Sequence, residues 1–93
     1  FKLSQNYPNP FNPTTIISWQ LPNDSYVSLV VYDMLGNEVV TLVNEDKKSG
    51  NYNIDFNAHD IASGIYFYKL TANKISGGKL GSFSETKKII LLK

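Results

Sequence analysis

The only histidine, His59, is followed directly by Asp60, and serines are plentiful, so a Ser-His-Asp relay is the first chemistry to weigh. Such a relay needs a nucleophile on a strained turn and donors for the oxyanion. No G-x-S-x-G or comparable setting surrounds any serine, and His59 reads as a solvated loop residue. Asn44-Glu45-Asp46 resembles part of a calcium loop, but Lys47 and Lys48 take the next positions, where such a loop supplies oxygen ligands. Asn23-Asp24-Ser25 fits the glycosylation sequon and reads more simply as a turn. Cysteine is absent, which removes disulfides, thiolate metal sites and thiol nucleophiles together. The expectation is a non-enzyme with no catalytic residue, no metal and no cofactor.

Binding chemistry is constrained as well. All nine basic residues are Lys, set against eight acidic ones for a net charge of +1. Without a guanidinium there is no fork to read guanine or clamp phosphate, so nucleic acid is not an expected partner. Tyr26, Tyr32 and Phe67 are expected on outward faces, where a row of aromatics can stack on sugar rings. That pattern supports the alternative reading, a carbohydrate-binding or structural appendage of an extracellular enzyme.

The elements that would carry these side chains are strands. Ninety-three residues, 42% hydrophobic and 18% charged, make one globular domain. No apolar run approaches the ~18 residues that span a bilayer. The first residue is Phe1 rather than Met, and the chain is read as a fragment of a longer one. Residues 1–13 hold three of the four prolines, which exclude helix and central strand and predict an extended, turn-rich lead-in. Residues 14–93 are expected to form the sandwich.

From Thr14 to Leu21, inward Ile17, Trp19 and Leu21 alternate with Ser18 and Gln20. After the turn Pro22-Asn23-Asp24, Val27, Leu29 and Val31 mark a second strand ending at Asp33, and Met34-Leu35-Gly36-Asn37 turns the chain again. The third run, Glu38 to Val43, breaks strict alternation and predicts a bulge or a change of sheet. A polar loop is expected from Glu45 to Gly50. A fourth strand places Tyr52, Ile54 and Phe56 opposite Asn53 and Asp55, a fifth runs from Ile65 to Ala72, and a sixth lies between Phe83 and Leu92. Asn73 to Ser82, with three glycines, is expected to be a mobile hairpin loop.

The run from Asp60 through Gly64 to Tyr66 has the spacing of a tyrosine corner, with Tyr68 where antibody domains keep their second disulfide cysteine. The fold class expected is an all-β, immunoglobulin-like sandwich of six to seven antiparallel strands without a disulfide.

Four motifs in order carry a family resemblance: Asn6-Tyr7-Pro8-Asn9-Pro10-Phe11-Asn12-Pro13-Thr14-Thr15, Val31-Tyr32-Asp33-Met34-Leu35-Gly36, Ser63-Gly64-Ile65-Tyr66 and Lys88-Ile89-Ile90-Leu91-Leu92-Lys93. From about Leu3 to Lys93 the chain resembles the type A C-terminal sorting domain of the type IX secretion system, a family that overlaps in sequence with immunoglobulin-like domains of flagellar hook-capping proteins. The resemblance implies a passenger upstream in the same chain of a Bacteroidetes-like Gram-negative cell. That passenger would pass through the periplasm and across the outer membrane to the surface, with the secretion machinery and a sortase-like peptidase as partners and anchoring to lipopolysaccharide. The isolated domain is expected to be a monomer. Asn37 and Lys69 stand where many relatives carry Arg.

The final strand poses a conflict. Ile89, Ile90, Leu91 and Leu92 are consecutive, yet a sandwich strand buries one face, so two must point outward. The Pro-rich lead-in around Phe11 is one cover for that face. The other reading leaves it, with Lys87, Lys88 and Lys93, for the machinery to grip, by strand addition among other modes.

Overall fold

The computed structural model describes residues 1–74 and 82–93. Alternating burial sets the strands: in β2 (Thr14–Leu21), Thr15, Ile17, Trp19 and Leu21 are buried and their neighbours face out. β1 (Lys2–Leu3) pairs antiparallel with β2, so the lead-in holds a strand that its prolines concealed. β5 (Gly50–Asn57) pairs with the other side of β2, completing a three-stranded sheet. The second sheet has four strands in the order β4 (Glu38–Lys47), β3 (Ser25–Tyr32), β6 (Gly64–Lys74), β7 (Ser82–Leu91). Every pairing between these strands is antiparallel. The inner faces of the two sheets make one core, in which Val27, Leu29, Val31, Tyr68, Leu70, Ala72, Ile89 and Leu91 are fully buried together with Ile17. The architecture is the expected all-β sandwich.

Of the two readings of the third run the bulge holds, and two loop expectations shift. The irregular third run stays in one sheet, and the β3–β4 register slips twice, passing over Leu42 and Val39 as bulges do. The polar loop expected over Glu45 to Gly50 shrinks to Lys48 and Ser49, because β4 continues through Lys47 and β5 starts at Gly50. Asn73 and Ser82, read as loop ends, pair with each other in the β6–β7 ladder, and Lys74 closes β6 opposite Ser25. The remainder of that expected loop lies outside the described residues.

Candidate functional site

The lead-in and the last strand meet at the outer edge of β7. An edge strand presents unpaired backbone donors and acceptors, and here they are filled from the chain's other end. Gln5 Nε2 donates to the Lys88 carbonyl at 2.9 Å, and the Ile90 N–H donates to Asn9 Oδ1 at 3.0 Å. The Phe11 N–H donates to the Ile90 carbonyl at 3.0 Å, and the Leu92 N–H to the Phe11 carbonyl at 2.9 Å. Phe11 is thus a one-residue parallel strand beside Leu91. Its buried ring turns inward onto Phe56 of the other sheet, centroids 5.9 Å apart.

The lead-in is held by its own polar network. Buried Asn6 donates through Nδ2 to Thr15 Oγ1 at 3.0 Å and to the Pro8 carbonyl at 3.1 Å, and Thr15 Oγ1 donates to that same carbonyl at 2.8 Å. The Pro13 carbonyl accepts from the Ala58 N–H at 2.8 Å. Pro10 and Asn12 are exposed between these anchors. Tyr68 connects network and core: its buried hydroxyl donates to the Ser4 carbonyl at 2.6 Å and accepts from the Asn6 N–H at 2.9 Å. Burial, chiefly, pushes this phenol up to about 12.

Tyr66 forms the expected corner, its hydroxyl donating to the Ala62 carbonyl at 2.6 Å. Gly64 enters it at φ 154°, while Asp60 is exposed and contributes none of the hydrogen bonds described. At the β3–β4 turn the Asp33 carboxylate accepts from the N–H groups of Leu35 and Asn37, both at 2.9 Å, and from Asn37 Nδ2 at 3.2 Å. These bonds, the Asn37 amide first, hold its carboxyl below the ordinary value. Gly36 sits at φ 85°, the left-handed region that glycine adopts freely. Asn37 is therefore spent within the turn, while Lys69 lies on the outward face of β6 opposite Val30 and Thr86.

The last strand divides by parity. Ile89 and Leu91 are fully buried; Lys88 and Leu92 are exposed and Ile90 half-buried on the outer face. Lys87 shares the inward-facing parity and pairs with Glu85 at 3.1 Å. Lys93 is tied to the β5–β6 loop, its N–H donating to Ser63 Oγ at 3.0 Å and its Nζ to the His59 carbonyl at 2.6 Å. The lead-in around Phe11 does reach the last strand, as one of the two sequence readings had it, but it pairs along the edge of β7 and leaves Lys88 and Leu92 on the outer face exposed. The signal for this clasp is the run of Asn and Pro, which leaves side-chain acceptors and backbone groups free to serve another strand.

The other candidate chemistries do not assemble. The exposed His59 makes no side-chain hydrogen bond to Asp60 or to a serine among the described residues. Lys47 lies 2.8 Å from Glu45, and Lys48 3.7 Å from Asp24, setting ammonium groups where a calcium ion would need oxygen ligands. Ser25 is buried and donates to the Asn23 carbonyl at 2.9 Å, so the apparent sequon is a turn. Tyr32 and Phe67 face each other across β3 and β6, but Tyr26 lies six residues along β3, roughly 20 Å away, and is engaged with Asn44. Three aromatics so spread make no sugar platform.

The fold is a small sandwich whose lead-in and last strand are clasped together, and no catalytic group assembles among the described residues. The family model described as the secretion system C-terminal sorting domain matches residues 5–91, and the chain belongs to that family. It is a C-terminal sorting signal for type IX secretion, joined to an upstream passenger that the machinery exports across the outer membrane to the surface or the medium. No curated protein and no solved structure matches the chain.

Proposed function

We propose that the signal is read from the folded sandwich, through the outward side chains of the last strand, and that the domain performs no chemistry of its own. The observation that carries this reading is the parity of β7. Ile89 and Leu91 are committed to the core, which leaves Lys88, Ile90 and Leu92 as the side chains a partner meets. Among the described residues, strand addition on this edge is left to the farther positions Ser82, Ser84 and Thr86, because the lead-in occupies the backbone from Lys88 to Leu92. The whole chain acts as one unit, with residues 1–13 as clasp and 14–93 as sandwich. A sortase-like peptidase then separates the passenger from the domain and anchors it to lipopolysaccharide.

The test is a passenger bearing Lys88→Glu and Leu92→Ser, two exposed positions outside the core. Accumulation in the periplasm of a chain that melts as the wild type does supports the reading. Normal surface display of that variant sinks it.

A further inference from the structure

The β3–β4 hairpin tip is both more rigid and more apolar than a solvent-facing turn requires. Met34 is 66% exposed and Leu35 88%, the most exposed large apolar side chain among the described residues. Turns of this kind normally carry polar residues. The backbone beneath the two side chains is fixed by the three hydrogen bonds to the Asp33 carboxylate, by the Gly36 N–H to the Asp33 carbonyl at 3.1 Å and by the Asp33 N–H to the Asn37 carbonyl at 2.9 Å. A projection held so firmly loses little conformational entropy when it seats in a partner.

Position and charge select the partner. Val27 pairs with Ala72, Ala72 with Phe83, and the Phe83 ring stacks on Phe1 at 4.9 Å, so the chain enters the sandwich at the end of β3 away from the tip. The tip therefore stays reachable while the passenger is attached. Asp33 and Glu38 flank the tip with no lysine between Asp33 and Asp46, while Glu45 and Asp46 lie at the far end of β4 opposite Val27 and Tyr26, where Lys47 pairs with Glu45 at 2.8 Å. An anionic lipid surface would be repelled by the two carboxylates beside the tip; a basic rim would attract them.

We infer that Met34 and Leu35 form a plug that seats in an apolar, basic-rimmed pocket on a protein of the export machinery. This rests on the sorting function and is independent of the role proposed for the last strand. The test uses a passenger carrying the full domain in cells that possess the export system, with Met34→Ser/Leu35→Ser compared with Met34→Leu/Leu35→Met. Surface display of the serine pair should fall at least about tenfold, a loss of ~1.4 kcal/mol in binding, with folded protein held in the periplasm. The swapped apolar pair should export normally. In competition, an overproduced wild-type domain should depress display of a second reporter, and the serine pair should not.

A melt of each purified chain checks the fold; if the double variant fails it, Leu35→Ser alone takes its place. Normal export of, or equal competition by, a folded serine variant overturns the plug. So does wild-type partition onto phosphatidylethanolamine–phosphatidylglycerol vesicles that the serine pair lacks, or a wild-type dimer that it lacks. Failure of the wild-type passenger to reach the surface would instead overturn the sorting function.

Discussion

Tyr68 does the work of a cross-link without being one. Its hydroxyl serves Ser4 and Asn6 at once, so Tyr68→Phe leaves the buried Asn6 N–H and the half-buried Ser4 carbonyl without this partner and should cost about 2 kcal/mol at neutral pH. The same phenol makes an alkaline prediction. Its pKa is raised from 10.0 to about 12 on folding, so its contribution is whole below pH 10, where neither state is ionised. It drains away as the pH rises from 10 to 12, because the unfolded chain releases the proton first. On the order of 3 kcal/mol is at stake. Denaturant melts should show the advantage of wild type over Tyr68→Phe vanishing by pH 12; a constant difference would contradict the assignment. Tyr66→Phe, which loses a single corner bond, should cost about 0.5–1.5 kcal/mol.

At the scale of elements, the clasp converts an exposed sheet edge into a covered one. Phe11→Ala removes a buried ring that bridges the two sheets and should cost about 3–5 kcal/mol. Asn9→Ala removes only the acceptor for the Ile90 N–H, at about 1 kcal/mol, and hydrogen exchange should accelerate at Ile90 more than at the core amide of Ile89. Equal protection of Ile90 in both chains would mean that the clasp is not formed in solution. The β3–β4 turn makes a parallel case: Gly36→Ala places a Cβ at φ 85° and should cost about 1 kcal/mol although the surrounding space is open.

For the whole molecule, stability and signal share one strand. Ile89 and Leu91, fully buried, contribute about 1.5–3 kcal/mol each, against a total stability of about 5–15 kcal/mol for a typical domain. Deleting Lys87 to Lys93 should therefore unfold the sandwich, and periplasmic arrest of that truncation would report folding rather than recognition. Leu92→Ser, at a side chain 55% exposed, should change stability by less than about 0.5 kcal/mol. Thermal melts separate the two, and light scattering on the same samples should find a monomer.

The inward faces of β2, β3, β5 and β6 were legible from residue types alone, because the pleat forces side chains to alternate and only apolar positions can fill the core. The same rule required two of Ile89 to Leu92 to face outward, and the failure of alternation from Glu38 to Val43 announced a bulge. The tyrosine corner was legible because its partner lies four residues upstream, within local reach. Tertiary structure alone decided the rest. Which two of the four apolar residues are buried follows from the register that sets Tyr66 against Ile89 and Gly64 against Leu91. The clasp joins residues 81 and 83 positions apart, and no local pattern encodes such a pairing. A hydrogen bond to a strand's edge depends on where the completed sandwich brings that edge, after every intervening strand has found its neighbour.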